Sequence, residues 1–441
     1  MKRVAGVLLV AASLAASGAP ARSQEPTITM TALEQQLPLA YSLRAALRRV
    51  DETDQRIVEA RAKAGLEYFF ENGVGPRSDI VTRSSNFQSL RYLQREGLRL
   101  PLFGTRTAQQ KAIETARIES EIARIEYVVA ERAALATLRR DFVAYWQYDR
   151  EGAIAGDYLA VVQRQLPAAR SLRTSGFWTQ GKFLDFLDTT AGAKTDVNTF
   201  RSSRRQALAQ LEGVLGREIG AFHPLDPVFT PSCIPSRDDA RAVAVAADGT
   251  IAKLDAGIEQ TKFFLRDVRH SSIAAAAQLG AAQLADITPR GSGYDVTAGI
   301  ALSFPVHAGA EEHAFRRALE ARLDGYRLQR DQRRYELRAL VEQAIDELAN
   351  ARAQLRQAAK DEEAKREDLR EARVRFATIA STGGTGFTEL EVKSAEAYVT
   401  QKTTALARSQ VLLAEIQLLQ VAPGVCSGVA AKHESSSSGR R

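Results

Sequence analysis

The sequence predicts a mainly α-helical protein with a small β part, in which a unit of one β-hairpin and long coiled helices occurs twice. Three features carry this prediction. Long stretches repeat apolar residues at alternating spacings of three and four, which is the pattern of helices that coil around each other. Residues 294–306 alternate between apolar and polar or small side chains, which is typical of a β-strand. Matching motifs also recur at one fixed separation along the chain.

The start of the chain has the features of a secretory signal peptide. Two cations precede an apolar stretch over residues 4–16, and small residues that suit cleavage follow it. We therefore expect residues 1–23 to be a signal peptide and residues 24–40 to be an N-terminal extension. The alternative, an N-terminal membrane helix, needs ~20 apolar residues in a row, and this stretch is shorter.

Composition argues against several classes of function. The net charge of +7 is spread along the chain instead of being gathered in basic runs, so we expect no nucleic-acid binding. The five histidines are scattered, and none pairs at the spacing of metal ligands on a helix. No phosphate-binding loop follows a strand, and no nucleophile has a base nearby in the sequence. We therefore expect no enzyme, no metal site and no cofactor.

Helical patterns cover most of the remaining chain. They predict helices over residues 41–64, 105–173, 183–216, 237–267, 310–378 and 387–419. The clearest heptad seam consists of Leu337, Val341, Ala344, Leu348, Ala351, Leu355 and Ala358. A helix of ~69 residues is ~100 Å long, which exceeds the size of a globular domain. We therefore expect these helices to form a rod or a tube.

Two regions between the helices have strand signals. The second, residues 271–306, predicts a β-hairpin whose strands are long enough to cross a membrane as part of a barrel. The first, about residues 78–104, is a poorer copy with weak strands at Ile80–Thr82 and Leu90–Tyr92. This region is so highly charged that the sequence alone does not predict that it crosses a membrane.

An internal duplication organises the chain. Pro101 and Pro305 close the two hairpins at a separation of 305 − 101 = 204 residues, and Phe183 and Phe387 begin return helices at the same separation. Such a fixed separation predicts two copies of one structural unit. The predicted segments are a first repeat at 41–216, a linker at 217–237, a second repeat at 238–421 and a disordered tail at 422–441.

Several short motifs resemble those of the TolC family of outer-membrane efflux proteins. Leu100–Gly104 and Ser303–Gly309 resemble the family's exits from strand to helix. Gly384–Leu390 resembles the turn at the periplasmic end of the long helices. The resemblance extends over roughly residues 41–421, and the order of the elements carries more of it than any single residue.

The resemblance implies an architecture and a function. It implies a homotrimer with a TolC-like α-helical barrel across the periplasm and an outer-membrane β-barrel to which each chain contributes four strands. It also implies an exit duct of a tripartite efflux or type I secretion system, a passive channel that a periplasmic adaptor and an inner-membrane pump open. Physical reasoning agrees on one point, because two hairpins cannot close a barrel in lipid without further copies.

The turns of the long helices are the first candidate site. The resemblance implies that they dock the periplasmic adaptor, and both turns are rich in Gly, Ser and Thr. The alternative is an ordinary solvated helix turn. The candidate docking residues are Thr174, Ser175, Gly176, Ser381, Thr382, Gly383 and Gly384.

A charged stretch before the second turn is the next candidate. Threefold symmetry would convert an inward-facing acid into a ring that favours cations and narrows the passage, and Asp368 and Glu371 lie nearest the turn. The alternative is a solvated helix face laced with ion pairs. The two cysteines, Cys233 and Cys426, are either separate thiols or a disulfide. The resemblance favours the disulfide, because it implies that both lie in one belt around the tunnel.

A second function remains open from the sequence. A soluble periplasmic coiled-coil adaptor or scaffold would explain the helices and the seam, but not the strand at 294–306 or its counterpart in the first repeat. Recovery in the soluble periplasm without detergent would favour this alternative. The sequence does not predict the cargo or the pump.

Overall fold

A computed structural model describes residues 25–76, 90–103, 105–229, 235–266, 274–286, 292–303, 308–379 and 385–425. The first repeat contains α2 (Tyr41–Ala62), β2 (Glu67–Pro76), β3 (Leu90–Phe103), α3 (Thr105–Thr174) and α4 (Gln180–Leu215). The second contains α5 (Arg237–Ala247), α6 (Gly249–Arg266), β5 (Ala274–Asp286), β6 (Ser292–Ser303), α7 (Ala308–Ile379) and α8 (Thr385–Val421). Short elements before and between them are β1 (Thr27–Ile28), α1 (Met30–Glu34) and β4 (His223–Pro224). The mainly α-helical class with a small β part is thus confirmed.

Buried positions recur at fixed separations between the two predicted repeats. In α4 and α8 they correspond at the predicted separation (387 − 183 = 204), whereas in α3 and α7 the separation is one less (341 − 138 = 203). The second predicted repeat therefore has one more residue between the matched positions of its two long helices. Corresponding buried pairs are Phe183 with Phe387, Phe186 with Leu390, Ala193 with Ala397, Leu138 with Val341, Phe142 with Ile345 and Tyr145 with Leu348.

One antiparallel sheet joins the two hairpins in the order β2-β3-β5-β6. The first hairpin begins at Glu67, earlier than the predicted residue 78, and its first strand precedes the β-branched residues that prompted the prediction. Ile80–Thr82 lie outside the described residues. The prediction missed β2 because its three consecutive aromatic residues, 68–70, are followed by Glu, Asn and Gly, so the segment shows neither a clear alternation nor a β-branched run.

The helix predicted over residues 237–267 is interrupted at Asp248. This residue has an extended backbone (φ −74°, ψ 117°), and its carboxylate accepts a hydrogen bond from the Ile251 amide at 2.8 Å. Asp248 therefore caps α6, as acidic residues commonly do at helix starts. Gly249 allows α3 to come close, because a Cβ there would lie 2.2 Å from Val129 Cγ2.

Both ends of the described chain pack against the helices. Leu33 and Leu37 of the N-terminal extension are buried beside Leu138 and Phe142 of α3. At the other end, residues 422–425 were predicted to belong to a disordered tail, but Ala422 is buried in the core around α7. The prediction of disorder is wrong for residues 422–425, because the apolar core extends past the end of α8 and includes Ala422. The signal peptide, Cys233, Cys426 and the rest of the predicted tail lie outside the described residues.

None of the helices in the described part of the chain combines the length and the apolar run that crossing a lipid bilayer requires.

Candidate functional site: the sheet and the turn ends of the long helices

The register of the sheet separates its side chains into two unlike faces. One face carries large apolar residues that are all exposed: Tyr68, Phe70, Leu98, Leu100, Leu279 and Ile300. The opposite face carries Glu67 and Glu71 of β2 opposite Arg99 and Arg95 of β3. A soluble protein rarely exposes so many large apolar side chains on one surface. The two faces of the sheet therefore suit two different surroundings, one apolar and one polar.

Ion pairs and hydrogen bonds engage charged groups on both faces of the first hairpin. Arg99 lies 3.8 Å from Glu71 and 5.2 Å from the centre of the Phe69 ring on the charged face. Glu96 lies on the apolar face, where it accepts a hydrogen bond from the Tyr68 hydroxyl at 3.0 Å. Among the charged residues of β3 whose side chains the structure describes, Arg95 and Arg99 lie on the charged face and Glu96 lies on the apolar face.

The turn between α3 and α4 uses its predicted docking residues for its own backbone. The hydroxyls of Thr174 and Ser175 donate to the Ser171 carbonyl at 3.0 and 2.7 Å. Gly176 has a φ of +77°, which glycine adopts at least cost. These contacts give hydrogen-bond partners to backbone carbonyl groups at the end of α3. An ordinary solvated helix turn, the alternative to a docking turn, makes contacts of this kind. The corresponding Ser381, Thr382, Gly383 and Gly384 lie outside the described residues.

Aromatic residues beyond this turn pack the two repeats together. Trp178 lies 5.2 Å from Phe387 in an edge-on arrangement, and both contact Phe186. Phe177, next to them, is 66% exposed and protrudes from the turn. Phe177 is not among the predicted docking residues, although an aromatic residue next to a turn glycine offered a signal.

Asp368 lies in a cluster of two acids and two bases that connects α7 with α8. Its carboxylate lies 3.4 Å from Lys365 and 3.2 Å from Lys393, and Glu396 lies 3.0 Å from each of these lysines. Lys393 and then Lys365 hold the pKa of Asp368 below its usual range. The four charges cancel, so Asp368 presents no surplus negative charge within its own chain.

Glu371 has a different environment. It lies 2.8 Å from Arg375, which also pairs with Glu389 of α8 at 2.9 Å. Two acids thus share one arginine, and a negative charge remains. The structure does not bring Asp368 and Glu371 into one network, although both lie near the turn end of α7. Within the described ranges, no group of three or more His, Cys, Asp or Glu side chains is placed to hold a metal ion.

A polar contact missed by sequence analysis joins the repeats farther from the turns. The Tyr398 hydroxyl of α8 donates to Asp196 of α4 at 2.5 Å, and Lys402 approaches the same carboxylate at 3.2 Å. Tyr398 also stacks on Tyr158 of α3 with ring centres 4.3 Å apart. Burial and the Asp196 carboxylate raise the pKa of Tyr398, so it remains a hydrogen-bond donor.

Solved structures share this arrangement of sheet and helices. The chain aligns with the outer membrane protein VceC from Vibrio cholerae over 89% of this chain and 95% of that chain, with a TM-score of 0.70 and 11% identity. The alignment with the outer-membrane channel OprN covers 90% of each chain, with a TM-score of 0.72 and 13% identity. The chain has a TolC-like fold.

A further TolC-like neighbour is the MtrE outer membrane channel of Neisseria gonorrhoeae in its open state. It aligns over 88% of each chain with a TM-score of 0.67 and 14% identity. No protein-family model matches this sequence. No curated protein sequence matches it either. At these identities the likeness shows the TolC-like fold itself.

Proposed function

We propose that this chain is a subunit of an outer-membrane exit duct in a tripartite efflux or type I secretion system. The observation that carries the proposal is the sheet, whose exposed apolar face lies opposite a charged face. A duct wall in lipid needs this separation, because one side meets hydrocarbon and the other meets water. The TolC-like fold supports the same function. Such a duct does no covalent chemistry, so no catalytic group is required.

The edges of the sheet support assembly of several copies. Within the described residues, β2 and β6 each pair on one side only. Since β2 corresponds to β5 and β3 to β6, the pairing of β3 with β5 has an equivalent between β6 and the β2 of a second copy. Open edges are not stable in lipid, so the ring must continue until it closes. Three copies with four strands each, as the family resemblance implies, give twelve strands.

The packing of the long helices also predicts a contact between copies from a contact between the repeats. Val143 and Trp146 of α3 pack on Leu412 and Ile416 of α8 within one chain. By the repeat, α7 then packs on α4 of the next copy. The contact equivalent to Tyr158 with Tyr398 would join Asp361 of one copy to Lys194 of the next (158 + 203 = 361; 398 − 204 = 194). Asp361 and Lys194 are exposed in the single chain and have opposite charges, which fits an interface.

The turns and the acids take their roles from this assembly. Thr174, Ser175 and Gly176, with the second turn, would meet a periplasmic adaptor, and the protruding Phe177 adds an apolar contact to that surface. Of the two candidate constriction acids, Glu371 is the stronger, because Lys365 and Lys393 offset the charge of Asp368. An inner-membrane pump would supply the cargo.

Fractionation combined with a transport assay tests the proposal. The protein is expected in the outer membrane, released only by detergent, and its deletion is expected to raise the accumulation of a fluorescent efflux dye. Leu279→Arg, on the apolar face, should not restore efflux, whereas the wild-type gene should. Recovery of the wild-type protein in the soluble periplasm would contradict the proposal and favour the soluble adaptor, which the sheet does not favour.

A further inference from the structure

A cavity lies where the turn between α3 and α4 meets the first turns of α8. Its volume of about 530 Å³ is within the range of small-molecule pockets, which combine apolar walls with a few polar groups. We call it the turn cavity. Both repeats line it, the first with Phe177, Trp178 and Lys182 and the second with Thr388, Glu389 and Val392.

Two hydrogen-bond donors in the wall of the turn cavity have unused capacity. Trp178 is only 5% exposed, and within the described residues its indole N–H has no hydrogen-bond acceptor. Because this N–H is shielded from solvent, water does not satisfy it, and burying such a group without a partner is unfavourable. The ammonium of Lys182 lies 5.2 Å from the centre of the same indole ring. It has three N–H groups, of which one donates to the Thr388 hydroxyl at 2.8 Å.

Two of the charged residues that line the turn cavity are neutralised within the chain. Glu389 lies 2.9 Å from Arg375 of α7. Lys393, which also lines the cavity, lies 3.2 Å from Asp368. Neither residue therefore gives the cavity a surplus charge.

Lys182 is the charged lining residue that differs. Within the described part of the chain it forms no ion pair, neither with Asp185 one turn along α4 nor with Glu391 of α8. Burial raises the pKa of Glu391, although Lys182 acts in the opposite direction, so the neutral form of this carboxyl group gains weight. The ammonium of Lys182 is thus a positive charge that an anionic ligand can neutralise.

The remaining wall suits a flat apolar group of small size. Phe177 and Val392 are 66% and 47% exposed, and they line the same cavity as the Trp178 ring. Along α8 the cavity extends only from Thr388 to Lys393, which is about 8 Å. This length is too short for a partner helix that packs over several turns, whereas one or two aromatic rings fit it.

The equivalent junction between copies of the proposed ring would lack these polar groups. At the separation shared by α4 and α8, Lys182 corresponds to Gly386 and Thr388 to Leu184 (386 − 182 = 204; 388 − 184 = 204). Neither replacement offers a side-chain hydrogen bond or a charge. The chemistry of the turn cavity therefore occurs once per chain, at the junction of the two repeats.

We propose that the turn cavity binds a small apolar carboxylate with one or two aromatic rings. The carboxylate accepts hydrogen bonds from Lys182, with Trp178 Nε1 as the second donor, and the rings lie against Phe177, Trp178 and Val392. Such a ligand contacts both repeats in the folded chain only, so it stabilises their junction. The assignment needs a single folded chain, so it goes beyond the proposed duct and does not depend on it.

Calorimetric titration of the full-length, detergent-extracted protein with 2-naphthoate tests the assignment. The comparison ligand is 2-naphthamide, which has the same rings and no charge. We expect one naphthoate per chain, bound at least about tenfold more tightly than naphthamide, because hydrogen bonds to charged groups are stronger than neutral ones. Naphthoate should also raise the unfolding temperature of the protein.

Two variants assign the binding to the named donors. Lys182→Met keeps an apolar stem beside Trp178 and removes the charge, so naphthoate affinity should fall at least about tenfold. The matched control is Arg201→Met, which removes an exposed cation about 28 Å along the same helix and should change nothing. Trp178→Phe keeps an aromatic ring and should weaken naphthoate about threefold or more through loss of the N–H. Thermal unfolding without ligand checks that each variant is folded.

Three outcomes would overturn the proposed site. Naphthoate does not bind the folded wild type at millimolar concentration, naphthamide binds equally well, or Lys182→Met and Arg201→Met have the same affinity. Equal binding of the two ligands would mean that the cavity is an apolar patch without selectivity for anions. Each of these results leaves the outer-membrane duct standing, since fractionation and dye efflux test that proposal separately.

Discussion

Tyr398 is a side chain of α8 that contacts both α3 and α4. Its hydroxyl bonds Asp196 of α4, and its ring stacks on Tyr158 of α3. Because these contacts lie toward the turn end of the helices, they resist separation of the two coiled pairs. A duct that opens at this end would have to weaken them.

Tyr398→Phe tests this role. The substitution removes one hydrogen bond to a half-exposed carboxylate and keeps the ring stacking, so we expect a loss of about 1 kcal/mol and easier opening. The measurement is single-channel conductance in planar bilayers, which should show larger or more frequent openings. Glu367→Gln is the matched control, since it removes a pair with Arg370 inside α7 only. Identical behaviour of the two variants would show that Tyr398 does not restrain opening.

Glu151 is a buried carboxyl group in the same region of α3. Burial raises its pKa, although Gln147 donates a hydrogen bond to it at 3.1 Å. A raised pKa in the folded state means that folding favours the protonated form. Stability is therefore fullest below the pKa of the unfolded chain and declines as pH rises through the pKa of the folded chain.

Glu151→Gln should remove this dependence on pH. We expect the variant to unfold at a higher temperature than the wild type at pH 7.5, because it buries no charge and can keep a hydrogen bond with Gln147. The difference should shrink toward zero near pH 4, where both states of the wild type are protonated. Thermal unfolding between pH 4 and pH 7.5 measures the difference in unfolding temperature. A difference that is the same at all pH values would show that the ionisation of Glu151 does not cause it.

The four-stranded sheet has two unlike faces, and the proposed outer-membrane location depends on them. Leu279 of β5 lies on the apolar face, and its neighbour Gln278 pairs with Arg99 in the register of β3 and β5. Leu279→Arg should cost ~2–4 kcal/mol in lipid and abolish insertion into the outer membrane, whereas Gln278→Arg should be tolerated. Immunoblots of outer-membrane fractions measure this. Equal tolerance of both changes would mean that the apolar face does not contact lipid.

The sequence predicted the long helices well for a physical reason. Their seam residues, such as Val341 and Leu348, repeat over many turns, so the helical period emerges despite local exceptions. The second hairpin was equally clear because its alternation is uninterrupted. The sequence did not predict the break at Asp248, because helix-forming segments lie on both sides of it and an acidic residue is common on the exposed face of a helix. Its role as a cap is visible only from its hydrogen bond with the Ile251 amide.

The first hairpin and the cross-repeat contacts needed the structure. The charges of β3 argue against a membrane strand until the register with β2 shows that Arg95 and Arg99 share a face with Glu71 and Glu67. Asp196 and Tyr398 are 202 positions apart and lie on different helices, so no local pattern links them. The lysines that offset Asp368 come from two helices for the same reason.

At the scale of the whole molecule, the sheet and the helices connect the two repeats in the same way. The first repeat contacts the second inside the chain, through β3 with β5 and α3 with α8. Within the described residues, the second repeat leaves the equivalent sheet edge unpaired, as the proposed ring of copies requires. Residues Asp361 of α7 and Lys194 of α4 should then meet across copies, which makes the ring testable at a defined position.

The most direct test is a disulfide across that junction in isolated outer membranes. The chain would carry Asp361→Cys and Lys194→Cys, with Cys233→Ser and Cys426→Ser to remove the native thiols. We predict a species of three chains on a denaturing gel under oxidising conditions, which dithiothreitol reduces to one chain. Control variants that carry only one of the two introduced cysteines, with serine at the other position, should not form this species. A single-chain species found in the soluble periplasm would contradict the outer-membrane duct.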